Sequence, residues 1–90
     1  MNTPTELTVK LFGAFRQYHQ GPLRIEVPTD STVLAVKVAI AQALQQSNAS
    51  FSNLALVNQS AIADDHRIYR NDERVPNHAC LAILPPVCGG

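Results

Sequence analysis

The sequence predicts an α+β domain in which one helix packs on one face of a small mixed sheet. Two segments near the start alternate apolar and polar residues, as half-buried strands do. One amphipathic segment without glycine or proline follows them, and a segment near the end is apolar at every position. The chain has 90 residues, 46% of them hydrophobic, which suffices for one compact domain and is too little for two.

The two alternating segments indicate an antiparallel hairpin. Residues 6–12 and 23–27 each direct three apolar side chains to one face, and Pro28 ends the second strand. The connection, residues 13–21, begins at a glycine and is typical of a loop or a short helical turn. The expected inward-facing residues are Leu7, Val9, Leu11, Leu23, Ile25 and Val27.

Residues 33–46 give the strongest helix signal in the chain. Asp30, Ser31 and Thr32 precede this segment as candidate N-caps. Apolar residues spaced by three or four form one stripe, which comprises Val33, Val36, Ile40 and Leu44. We expect further apolar residues to widen that stripe, namely Leu34, Val38 and Ala41.

The second half of the chain contains the remaining predicted strands. Residues 54–57 are a short apolar strand, and residues 61–63 are its possible return. Residues 64–78 form a polar loop. Residues 80–84 are apolar on both faces, which places them in the middle of the sheet, parallel to the first strand, with Cys80 as a small core residue. This order predicts a ubiquitin-like β-grasp domain over residues 1–84.

Composition excludes several functional classes. Seven basic residues balance seven acidic ones, which argues against nucleic acid as the main partner. Only 16% of residues are charged, so we expect apolar surface that meets partner proteins. No stretch is long and apolar enough for a membrane span, and the start lacks the pattern of a signal peptide. We therefore expect a cytoplasmic protein with reduced thiols.

The tail, residues 85–90, carries the most specific signal. Pro85 and Pro86 end the strand ladder and favour an extended arm. Gly89 and Gly90 have no Cβ, so the tip is thin enough for a narrow channel and ends in an unguarded carboxylate.

The ending, Pro85-Pro86-Val87-Cys88-Gly89-Gly90 after Leu84, resembles that of the small, sulfur-carrying subunit of molybdopterin synthase. Residues 9–12 with Arg16, residues 32–33 and residues 55–59 are also similar to that family, so the resemblance covers about residues 7–90. Three features depart from it. They are Asn77-His78 where the family has an Asp-Gly type turn, a longer segment at residues 64–75, and Cys88 where the family often has a small or hydroxylated residue.

The resemblance implies a chemical cycle at Gly90. A ubiquitin-activating-like adenylyltransferase would use ATP and Mg²⁺ to form a Gly90 acyl-adenylate. A sulfur donor of the cysteine desulfurase or rhodanese type would then displace AMP and leave a thiocarboxylate. Inside the large synthase subunit, the sulfur would pass to a cyclic pyranopterin monophosphate, precursor Z, to build the molybdopterin dithiolene. The two subunits would form a heterotetramer.

The resemblance also assigns roles to single residues. Gly90 would carry the sulfur, while Pro85, Pro86, Val87, Cys88 and Gly89 would thread the tail into the partner. Arg16, Ile83 and Leu84 are candidate docking residues, although Ile83 also fits the core and Arg16 also fits a solvated surface. We expect no bound cofactor or metal here, because the sequence has no metal-ligand cluster and no nucleophile–base pair. The catalytic residues are expected on the large subunit.

Three alternatives remain open. The chain could carry sulfur for the thiamin thiazole, for cysteine or for tRNA thiolation, since those carriers share the fold and the Gly-Gly ending. It could be a ubiquitin-like modifier linked through Gly90 to target lysines. It could also be a binding module with an inert tail. For Cys88, attack on the adenylate or persulfide formation is an alternative to a tolerated small residue.

Overall fold

The computed structural model describes residues 3–52 and 54–86. Five strands, two α-helices and one 3₁₀ turn make up this part of the chain. In chain order they are β1 (Pro4–Leu11), the 3₁₀ turn (Gly13–Gln17), β2 (Leu23–Pro28), α1 (Val33–Ser47), α2 (Leu54–Gln59), β3 (Ala61–Ala63), β4 (Ile68–Tyr69) and β5 (Cys80–Leu84).

The strands form one sheet in the order β2-β1-β5-β3-β4. The last strand lies at the centre, where it pairs in parallel with β1 and antiparallel with β3. The hairpin of β1 and β2 is antiparallel. The predicted hairpin and the central, parallel position of β5 are therefore confirmed.

The core lies between α1 and one face of the sheet. The predicted inward residues of β1 and β2 are buried, and the helix stripe is fully buried at Val33, Val36, Ile40 and Leu44. Phe15 and Phe51 add two large buried rings from outside the main elements. The rings of Tyr18 and Phe51 pack edge to face, with their centroids 4.8 Å apart. These contacts join the turn after β1 to the segment after α1.

The predicted widening of the helix stripe is wrong. Leu34 and Val38 are 53% and 58% exposed. At 100° per residue they lie roughly 100–140° round the helix from Val33, beyond the sector that one sheet covers. Ala41, nearer the stripe, is half-buried.

Thr32 is the N-cap of α1. Its Oγ1 accepts a hydrogen bond from the Ala35 N–H at 3.4 Å, as an N-cap hydroxyl does. The helix ends at Ser47, one residue later than predicted, and the Asn48 N–H donates to the Leu44 carbonyl. The predicted boundaries are thus confirmed to within one residue.

The predicted strand at residues 54–57 is wrong, because this segment begins α2. A short apolar run fits a strand or a helix equally well by pattern alone. Here the run buries only Val57, and the Ser60 side chain and N–H donate to the carbonyls of Leu56 and Val57 at 2.6 and 3.1 Å. Its predicted return, β3, pairs instead with β4 and β5.

The predicted polar loop, residues 64–78, contains the two-residue strand β4. Asp64 explains why the chain reverses after β3. Its Oδ1 accepts from the N–H groups of His66 and Arg67 at 2.7 and 2.9 Å, so that β4 can pair antiparallel with β3.

Lys37 is the buried cation that the helix pattern did not reveal. It lies on the stripe of α1 with 3% exposure. Its ammonium donates to the Asn58 carbonyl at 3.2 Å and to Asn71 Oδ1 at 3.0 Å. Lys37 therefore joins α1 to the end of α2 and to the loop after β4.

Candidate functional site

The tail leaves the sheet beside the 3₁₀ turn. Central strand β5 ends at Leu84, and half-buried Pro85 and Pro86 follow it outside the ladder. We call these two prolines the tail root. Gly13 has φ +58°, and a Cβ there would lie 2.7 Å from the Pro85 Cγ. The close approach therefore needs glycine at position 13.

The predicted threading and sulfur-carrying residues Val87, Cys88, Gly89 and Gly90 lie outside the described residues. What the structure gives is the place from which they depart. That place is the end of the central strand, at the surface, against the turn that begins at Gly13.

The face of the sheet opposite α1 is covered by no element of the described residues. We call it the open face. Phe12 and Ile68 are its large exposed apolar side chains, at 42% and 61% exposure. Its other members are Lys10, Ala63, Cys80, Ala82 and Leu84.

The strand register brings these residues together. Lys10 pairs with Ala82, which pairs with Ala63 on the other side, and Ala63 pairs with Ile68. This row crosses four strands at one level. Most of these residues line a shallow groove of about 240 Å³ that reaches Leu84, the last residue before the tail root. The open face thus extends to the residue that precedes the tail root.

Cys80 belongs to the open face, so its prediction as a core residue is wrong. It begins β5 and is exposed, while Leu81 and Ile83 point into the core. An all-apolar run predicted two covered faces, but the chain supplies a helix for only one. The outward positions of β5 are therefore small or partly exposed.

Asp64 and Asp65 form the acidic side of the groove. Asp64 Oδ2 accepts a hydrogen bond from the Tyr69 hydroxyl at 2.5 Å. That bond, together with the backbone donors of His66 and Arg67, lowers the pKa of Asp64 to about 2. The same bond raises the pKa of Tyr69. Asp64 is therefore a fixed anion that shapes the turn, and it is not suited to donate a proton near neutral pH.

Arg67 extends this network. Its guanidinium lies 4.3 Å above the ring centroid of Tyr69 and pairs with the Glu73 carboxylate at 2.6 Å. The Arg70 N–H and the Arg67 guanidinium donate to Glu73 and lower its pKa. The ion pair between Arg67 and Glu73 joins the turn before β4 to the loop between β4 and β5, whose Val75 is buried in the main core.

The docking candidates lie in three different environments. Arg16 is exposed in the 3₁₀ turn, and Leu84 is half-buried on the open face. Ile83 is fully buried in the core, so its side chain offers no surface in this conformation. Leu84 therefore directly precedes the tail root and Arg16 belongs to the turn beside it, whereas Ile83 is part of the core.

The described residues contain no group of three or more His, Cys, Asp or Glu arranged to hold a metal ion. Likewise, none of the helices within residues 3–52 and 54–86 has the length and hydropathy to cross a membrane.

A five-stranded mixed sheet with its last strand central and one main helix across one face defines a ubiquitin-like β-grasp protein. No protein-family model and no curated protein matches the sequence. Solved structures do. Two structures of the small archaeal modifier protein SAMP1 from Haloferax volcanii align with 22% and 21% identity and TM-scores of 0.67 and 0.69, covering 94% and 92% of this chain and 99% of theirs.

A ubiquitin from Caldiarchaeum subterraneum aligns over 98% of this chain and 100% of its own, with 14% identity and a TM-score of 0.62. At these identities the similarity establishes the fold. The predicted fold class is confirmed, and the function is argued separately from the site.

Proposed function

We propose that this chain is a sulfur carrier whose Gly90 carboxylate is converted to a thiocarboxylate for molybdopterin synthesis. The observation that carries the proposal is a ubiquitin-like body whose central strand runs directly into a Pro-Pro-Val-Cys-Gly-Gly ending. The tail root lies at the surface beside an uncovered apolar face. A partner can thus hold the body and thread the tail at the same time.

The chemistry requires activation by another protein. A carboxylate is a poor acyl donor to a sulfur nucleophile until one of its oxygens becomes part of a good leaving group. An activating enzyme would join the Gly90 carboxylate to AMP from Mg·ATP and release pyrophosphate. A sulfur nucleophile would then displace AMP at the acyl carbon.

The open face is the proposed docking surface. Phe12 and Leu84 supply apolar contact area next to the tail root, and exposed apolar patches of this kind mark protein interfaces. The large synthase subunit, the activating enzyme and the sulfur donor would use this surface in turn. We place these steps in the cytoplasm, in a heterotetramer for the final transfer to the pterin precursor.

A ubiquitin-like protein modifier is the second candidate. The similarity to proteins named as a small archaeal modifier and as ubiquitin favours it. In that role the same activated Gly90 would form an amide with a target lysine. Sulfur carriage for thiamin, cysteine or tRNA thiolation would share every step up to the thiocarboxylate.

Intact mass separates these functions. The full chain, incubated with its activating enzyme, Mg·ATP and a sulfur source, is expected to gain the mass difference of one sulfur for one oxygen. Conjugates of higher mass with target proteins would instead indicate a modifier, and an unchanged mass would contradict both. Dithiolene formation with the large subunit and the pterin precursor would then identify the pathway.

A further inference from the structure

A pocket of about 610 Å³ lies between the end of β1, the 3₁₀ turn and the start of β2. Three of its lining side chains are basic, namely Lys10, Arg16 and His19. The other lining residues are uncharged: Leu11, Phe12, Gln20, Gly21 and Pro22. We call this site the basic pocket.

The positive charge of the basic pocket is not neutralised by the described part of the chain. The side chains of Lys10, Arg16 and His19 make no hydrogen bond or ion pair with residues 3–52 or 54–86. Arg67, just before β4, and Arg70, just after it, are by contrast paired with acidic residues. A chain with zero formal net charge thus carries an uncompensated basic concavity.

The position of the pocket links it to the tail. Arg16 belongs to the turn whose first residue, Gly13, contacts Pro85 of the tail root. Lys10 and Phe12 line both the basic pocket and the groove of the open face. A protein that covers the open face therefore contacts two residues that also line the basic pocket.

We propose that the basic pocket receives carboxylate side chains of the protein that holds the tail. Arg16 would pair with a carboxylate through its planar guanidinium, while Lys10 and His19 flank it. Charge complementarity of this kind raises association rates and fixes the orientation of the partner. The proposal rests on the proposed function, because it needs a partner that handles the tail.

The lining favours a protein carboxylate over a free phosphate. Phosphate sites draw on convergent backbone N–H groups at helix N-termini or glycine-rich loops. This pocket has Pro22, which has no N–H, and the apolar ring of Phe12 in its wall. A protein surface offers carboxylates and apolar groups side by side, which matches that mixture.

The first test uses the full chain and defined probes. Poly-L-glutamate, added to the ¹⁵N-labelled protein, is expected to shift the amide signals of residues 10–22, and added NaCl should reverse the shift. Arg16→Gln should abolish it, while Arg70→Gln, the same loss of charge in an exposed pair, should leave it intact. Absence of the shift, or an equal shift with inorganic phosphate or ATP at the same charge concentration, would overturn the proposal.

The second test uses sulfur loading by the activating enzyme. Arg16→Glu is expected to raise the KM for this chain about tenfold with kcat unchanged, as the loss of a charge-assisted contact would do. Arg70→Glu is the control for net charge. Normal loading of Arg16→Glu would refute the inference and leave the proposed function standing. Failure of the wild-type chain to load would refute the function itself, whatever the titration shows.

Discussion

Lys37 Nζ lies 3.0 Å from Asn71 Oδ1, so a cation on the buried stripe of α1 holds the loop that follows β4. Burial lowers the pKa of Lys37. Its methylene stem fills the space between α1 and the surrounding residues, and its ammonium reaches polar acceptors at the periphery. One side chain thereby serves packing and loop position together.

Substitution of Lys37 separates these two contributions. Lys37→Ala is expected to lower the free energy of unfolding by about 2 kcal/mol, because it removes both the stem packing and the hydrogen bonds. Lys37→Met keeps the stem volume and should cost less than about 1 kcal/mol. Urea unfolding of both variants measures this, and equal losses would show that the stem contributes nothing.

Gly13 and Gly21 form a matched pair for testing the tail root. Both have positive φ, at +58° and +74°, but only Gly13 faces an atom that a Cβ would strike. Gly21→Ala is expected to cost about 1 kcal/mol from backbone conformation alone. Gly13→Ala should cost about 2–3 kcal/mol and shift the NMR signals of Pro85, since the proline must move.

If Gly13→Ala and Gly21→Ala lose the same stability and leave Pro85 unshifted, the contact at the tail root is not needed. Chemical denaturation and natural-abundance ¹³C shifts of the prolines provide the two measurements.

The hydrogen bond between Asp64 and Tyr69 predicts an acid limb, that is, a fall in the free energy of unfolding at low pH. The folded pKa of Asp64, about 2, lies below its ordinary value of 3.8. The stabilisation is therefore complete above pH 3.8 and is lost as the pH falls toward 2. Asp64→Asn should flatten this part of the curve, and Tyr69→Phe should raise the pKa of Asp64 in an NMR titration.

Asp65 provides the control for this titration, because it is exposed and makes no hydrogen bond or ion pair within the described residues. Asp65→Asn is expected to leave the acid limb unchanged. An Asp65→Asn variant that loses the limb, with Asp64→Asn keeping it, would place the titrating group elsewhere.

The open face predicts which apolar residues matter for partners. Leu84→Asp is expected to raise the KM of the chain in adenylation at least about tenfold, the equivalent of about 1.4 kcal/mol of lost binding. Leu34→Asp is the matched control, since Leu34 is 53% exposed on the helix, on the other side of the molecule. Equal effects of the two variants would contradict docking on the open face.

The tail predicts a strict requirement at the last residue. Deletion of Gly90, or addition of one residue after it, should abolish sulfur loading and leave the unfolding transition unchanged, because the last strand of the sheet ends at Leu84. Cys88→Ala should load and transfer sulfur normally if the thiol has no chemical role. Loading of the Gly90 deletion, followed by intact mass, would refute the proposed chemistry.

Periodicity in the sequence predicted the elements that bury one face over a segment long enough to show a repeating pattern. The hairpin and α1 belong to this group, and Thr32 was among the predicted caps. The central strand β5 was predicted instead from a run that is apolar at every position. Residues 54–57 failed because four apolar residues show no period. The sequence did not predict β4, because two residues between polar turns are too few to show an alternating pattern.

The site could be predicted only where it depends on residue type. The interpretation of the tail rests on residue type alone, because proline and glycine act through their own backbone chemistry, and it stays a prediction. The sequence did not predict the basic pocket, because Lys10 and His19 come together with Arg16 only when β1, the turn and β2 fold back on themselves. Cys80 was predicted wrongly, because sequence alone does not say which face of a strand is covered. The burial of Lys37 was not predicted, because sequence alone does not show that the methylene stem of a lysine can line a core.

The parallel pairing of β1 with β5 has a consequence for the newly made chain. The first strand can find its central neighbour only after the ribosome has released nearly the whole polypeptide, since β5 is the last strand to be synthesised. The glycines follow that strand by a few residues. A product truncated before β5 therefore lacks the central strand and cannot close its sheet, and under the proposed function it would also lack the residues that an activating enzyme needs.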